Sequence, residues 1–132
     1  MTRFGLDAVA ALRVIDERTV VDPRHQLVGP QLLRSQVLSL LYQRLRTGVA
    51  DEAESRQALE RLAGLKIRLL GDRVSRATTW KIARRHGLSD TMAAEYVAVA
   101  QLQADALIAL DPAVRQLAEA EISVAAFDDL GH

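Results

Sequence analysis

A chain of 132 residues with 49% hydrophobic and 26% charged side chains has the size and composition of one ordinary globular domain with a single core. Its 17 basic and 17 acidic side chains cancel, which disfavours a broad, nonspecific nucleic-acid binder and leaves any such contact local or shared with a partner or metal. Aromatics at 4% argue against base-stacking platforms as the main mode of nucleic-acid contact, and the absence of cysteine excludes disulfides, thiolate zinc sites and a thiol nucleophile. No signal-like segment opens the chain and no apolar run approaches a membrane span, so a cytoplasmic protein that does not enter the membrane is expected.

Strand-length apolar runs alternate with segments of helical period. Arg3 to Leu6 reads as a buried strand closed by Asp7, and Ala8 to Ile15 as a helix that breaks up around Asp22-Pro23. His25 to Pro30 is a connector with room for a short strand at Leu27-Val28. Gln31 to Arg46 carries an apolar stripe through Leu32, Leu33, Val37, Leu40 and Leu41 and ends at Thr47-Gly48. Asp51, with Glu54 three residues on, is a capping-box pattern that opens a helix running towards Leu62. Lys66 to Leu70 alternates as a strand does, and Asp72 to Arg85 is a basic amphipathic helix closed by His86-Gly87. Ser89 or Asp90 caps a nearly all-apolar helix reaching about Gln103. A strand over Ala106 to Leu110 leads into Asp111-Pro112, a helix to about Ala120, and a last short strand from Ile122 to Ala125. Strands alternating with helices imply one α/β domain over residues 1–132, a short, mainly parallel sheet with helices on both faces.

Asp7 and Asp111 each follow a strand. In open α/β sheets ligands collect beyond the carboxyl ends of the strands, near the point where strand order reverses. Two acids there, with no cation beside them in sequence, point to a divalent-cation site. Each alone is more often a helix N-cap or turn-former, and the case rests on the pair. Gln36 falls on the buried stripe of its helix, four after Leu32 and four before Leu40, and a buried amide needs partners. It either bonds a strand end or loop, or faces the same pocket as the two aspartates. Asp90 is explained as an N-cap or first-turn acid, or it points its carboxylate at the pocket. Glu95, among apolar neighbours, is a ligand or the one solvated position of its helix. The three histidines are scattered without ligand spacing, and Arg84-Arg85-His86 reads as a solvated helix end.

These segments together resemble the PIN-domain family, in particular the VapC-type toxins of bacterial toxin–antitoxin pairs, over essentially the whole chain. Phe4-Gly5-Leu6-Asp7-Ala8 is similar to the family's first strand and its leading Asp. Leu27 to Leu38 resembles the segment in which a Pro precedes a helix bearing a Glu, and Gln36 stands in the place of that Glu. Ala83 to Ser89 resembles the approach to a third acid, whose position is held by Ala93. Ala106 to Asp111 resembles the last motif, with Ala109 where a Thr is common. The resemblance implies a doubly wound sheet whose acids, here Asp7, Asp111 and Asp90 (one turn before Ala93), hold Mg²⁺ or Mn²⁺, with Gln36 orienting a ligand or water. It also implies divalent-metal-dependent endoribonuclease activity on an RNA substrate, a small VapB-like antitoxin in the groove, and a homodimer. Because Gln36 and Ala93 replace acids, activity is expected to be reduced or absent. The alternative is a catalytically degenerate PIN domain that binds an antitoxin-like protein or RNA without cleavage.

Overall fold

In the computed structural model, which describes residues 1–132, four short strands pair in parallel: β1 (Arg3–Leu6), β2 (Gln26–Pro30), β3 (Arg68–Leu70) and β4 (Ala106–Ile108), in the order β3-β2-β1-β4. Six helices connect and flank them: α1 (Ala8–Glu17), α2 (Leu33–Arg46), α3 (Glu52–Ala63), α4 (Arg73–Arg85), α5 (Met92–Gln103) and α6 (Pro112–Glu121). This is the α/β class expected, with an all-parallel sheet covered on both faces.

The order of the strands explains the layering. The path from β1 through β2 to β3 runs one way along the sheet, and the next crossover returns past β1 to place β4 on its other side. Right-handed crossovers put helices made on the outward path on one face and those made on the return on the other. Accordingly α1, α2 and α3 pack on one another, while α5 packs between α4 and α6 and against β1, β2 and β4. Enclosed by two helices and the sheet, α5 buries Ala94, Tyr96, Val97, Ala98, Val99 and Ala100, which is why its sequence shows almost no polar face. A Cβ added to Gly5 would lie 3.0 Å from Leu107 Cδ1 and 3.1 Å from Ala100 Cβ. Glycine there lets α5 sit directly on the central strand.

Several boundaries differ from those read in sequence. The strand read at Leu27-Val28 extends over Gln26–Pro30, whereas those read over Lys66–Leu70 and Ala106–Leu110 shorten to three residues each. The expected final strand at Ile122–Ala125 is a single parallel bridge from Val124 to Leu107. Two hydrogen bonds flank it before the chain coils into a 3-10 turn at Phe127–Gly131. The cap of α5 is Thr91, with no side-chain cap bond, rather than Ser89 or Asp90. The capping box of α3 is present, with Asp51 Oδ1 accepting from Glu54 N at 2.8 Å and Glu54 Oε1 from Asp51 N at 3.1 Å. No helix is long and apolar enough to cross a membrane.

Candidate functional site

Strand order reverses between β1 and β4, and Asp7 and Asp111 follow those two strands. Both are also helix N-caps, so the chemical and the structural reading fall on the same side chains. Asp111 Oδ1 accepts from Ala113 N at 2.8 Å and Val114 N at 3.3 Å, opening α6 beside Pro112. Asp7 is fully buried. Its Oδ1 accepts from Ala10 N at 2.8 Å, opening α1, while Oδ2 accepts from both Leu110 N and Asp111 N at 2.8 Å. One carboxylate therefore fastens the start of the first helix to the loop that carries the other aspartate. Burial pushes the Asp7 carboxyl above the usual carboxylate range, the three backbone donors pull it back in part, and the Asp111 charge adds to the rise.

Gln36 reaches this end of the sheet from α2. Its Oε1 accepts the Tyr96 hydroxyl at 2.5 Å and its Nε2 lies 3.4 Å from Met92 Sδ. Tyr96 is buried. Burial first, then the charges of Asp7, Glu95 and Asp111, push its phenol above the ordinary tyrosine value, so it stays protonated and donates. Gln36 thus bonds Tyr96 and Met92 and neither aspartate. No local motif marks Tyr96, although the argument that marks Gln36 applies to it: a hydroxyl on a nearly all-apolar helix has to find a partner.

Asp90 does not join this group. It is exposed, its Oδ1 accepts from Met92 N at 3.0 Å, and it lies in a surface depression with Trp80, Arg84 and Leu88. No cluster of three or more His, Asp or Glu side chains is placed to hold a metal ion. The expected ligand set of Asp7, Asp111 and Asp90 is therefore not assembled. The short polar side chain of Asp90 finds a nearby backbone N–H more readily than it spans the cleft.

The donors present fall short of a resident Mg²⁺ or Mn²⁺ site. Such ions take oxygen ligands in a near-octahedral shell, of which Mg²⁺ commonly draws one or two from protein carboxylates and the rest from water or phosphate, so the two carboxylates have to be free. A carboxylate offers about four lone-pair positions, and backbone N–H groups occupy three of those of Asp7. Asp111 keeps Oδ2 free of cap bonds, Tyr96 is a donor, and Gln36 adds no charge.

Other features sort as follows. Arg85 and His86 both reach Glu121, so that helix end is an ion-paired join to α6. Glu95 is half-buried with no partner, and lines a second cleft at the carboxyl ends of β2 and β3. A cavity of about 830 Å³ opens at the amino ends of β2 and β3, and none of the expected site residues lines it.

The chain matches no protein-family model and no curated protein. Its fold is similar to the crystal structure of PAE2754 from Pyrobaculum aerophilum. The TM-score is 0.69 at 21% sequence identity, over 98% of this chain and 93% of that one. At that identity the likeness establishes a shared fold.

Proposed function

We propose that this chain is a PIN-like domain of the VapC type whose metal-dependent ribonuclease centre is disabled, and which acts by binding RNA. The observation that carries the loss of chemistry is the state of Asp7, whose carboxylate is buried and committed to three backbone N–H groups. Binding is supported by α4, which borders the carboxyl-end cleft. Arg73, Arg76, Lys81 and Arg84 are exposed on it beside an exposed Trp80, and the helix contains no acid. A neutral protein whose most basic helix borders the cleft matches the local contact expected from its composition.

An antitoxin-like partner and a homodimer belong to the same proposal. Leu38 and Tyr42, one turn apart on α2, are exposed apolar side chains suited to an amphipathic partner segment. A second reading, a divalent-metal ribonuclease of low activity, is favoured by the influence of Asp111 on Asp7: two carboxylates close enough to repel would be relieved by a cation.

Fluorescence anisotropy of a single-stranded RNA in EDTA, beside a cleavage assay in Mn²⁺, separates the readings. A non-cleaving binder retains affinity in EDTA, loses it on Arg76→Ala with Lys81→Ala, and leaves the RNA intact. Mn²⁺-dependent cleavage would select the second reading, and no RNA affinity at all would overturn the first.

A further inference from the structure

The cleft between α4 and α5, at the carboxyl ends of β2 and β3, has a volume of about 350 Å³, at the lower end of the range for small-ligand sites. Its polar groups are not spent on one another. The Glu95 side chain is half-buried with neither ion pair nor hydrogen bond, and desolvation alone raises its carboxyl. The Thr91 hydroxyl makes no cap bond to α5. Arg76 lines the cleft and belongs to none of the protein's ion pairs. Trp80 is 66% exposed at the same wall. Across from them, Gln31 lies over Gly71 so closely that a Cβ there would be 3.0 Å from Gln31 Cδ; glycine is what lets the amide close that side.

A half-buried carboxylate is an acceptor with two oxygens and no donor, so it selects a ligand presenting paired N–H groups. A guanidinium or ammonium meets that demand, but Arg76 in the same cleft disfavours a cation. A ligand carrying both a double N–H edge and an anionic group satisfies Glu95 and Arg76 together. Guanine has that edge, with N1–H and N2–H side by side. Adenine presents an acceptor beside its N6 amine, cytosine an acceptor beside its N4 amine, and uracil one N–H between two carbonyls. An exposed indole is the usual platform for a base face, and stacking tolerates any base, so the choice falls to the carboxylate.

We infer that this cleft binds a guanine base, with Glu95 accepting from its Watson–Crick edge, Trp80 stacking on its face and Arg76 engaging its phosphate. The inference deepens the RNA-binding reading and rests on it only for the source of the base, which is either a free mononucleotide or an unpaired guanosine in a strand.

The test is calorimetric titration of the full chain with GMP, AMP, CMP and UMP, then with two short single-stranded RNAs that differ by one G. GMP alone is expected to bind. Glu95→Gln, which swaps one acceptor for a donor facing N2–H, is expected to weaken GMP binding by about ten- to a hundredfold. Trp80→Ala, at a solvent-exposed position, should weaken all residual binding and provides a variant that leaves the core untouched, checked by circular dichroism. GMP binding without RNA binding would support the pocket and count against the RNA reading. RNA binding with no G preference and no GMP binding would overturn the pocket while leaving that reading intact. Equal binding of GMP and AMP, or an unchanged Glu95→Gln variant, would also overturn it.

Discussion

The carboxylate of Asp7 accepts the backbone N–H of Asp111, 104 residues later in the chain, at 2.8 Å. The two acids that mark this site are therefore not independent. One holds the loop that positions the other, and a change at the first disturbs the second even if no ion or substrate is ever present.

Asp7→Asn keeps one acceptor oxygen but turns an amide N–H₂ towards some of the backbone donors that Asp7 now satisfies. Leaving buried N–H groups unpaired costs about 1–3 kcal/mol each, so a stability loss of about 2–4 kcal/mol is expected in urea unfolding. Asp111→Asn keeps the cap of α6 and should cost less than about 0.5 kcal/mol, since Asn and Asp are comparable N-caps. Equal losses at the two positions would contradict the fastening role of Asp7. The comparison also identifies Asp111→Asn as the cleaner probe of chemistry.

The raised Asp7 carboxyl sets a pH dependence of definite sign. A carboxyl whose folded pKa lies above its unfolded value of 3.8 binds its proton more tightly in the native state. Its contribution is therefore greatest below pH 3.8 and is lost as pH rises through the folded pKa. Urea unfolding of the native chain and Asp7→Asn across that window should show the native advantage shrinking as pH increases. Shrinkage towards low pH would mean that the backbone donors, not burial, dominate.

Tyr96→Phe removes the hydroxyl that Gln36 accepts without changing the buried ring. The expected cost is about 1 kcal/mol, the net worth of one neutral hydrogen bond. Chemical shifts of the Gln36 side-chain amide should move with it. An unmoved amide would mean that the two residues are not paired in solution.

Gly5→Ala tests the seat of α5 on the sheet. The added methyl meets Leu107 and Ala100 at 3.0 and 3.1 Å, and overpacking of this kind costs about 1–3 kcal/mol. A neutral effect in thermal unfolding would mean that α5 sits further from β1.

Most of the architecture was legible because alternation of strand and helix periods is a local signal. The Asp51–Glu54 box, the strand before Asp7 and the Pro112 start of α6 can all be read within a few residues. The shortened strands and the single bridge at Val124 could not be read that way, since pairing partners lie about 17 to 100 residues away in sequence. At the site, residue type marked Asp7, Asp111 and Gln36, but not what each is bonded to. Asp90 illustrates the difference: one turn from Ala93 in sequence, it is taken by the backbone N–H of Met92. The role of Tyr96 depends on side chains of α2 and α5, which pack on different neighbours, reaching one another, and no local pattern encodes that.

Calorimetric titration with Mn²⁺, of the native chain beside the double variant Gln36→Glu/Ala93→Asp, bears most directly on whether the metal centre is disabled. A disabled centre predicts no stoichiometric binding by the native chain and the appearance of one Mn²⁺ per chain once the two acids are supplied. One tightly bound Mn²⁺ in the native chain, removed by Asp111→Asn, would contradict it.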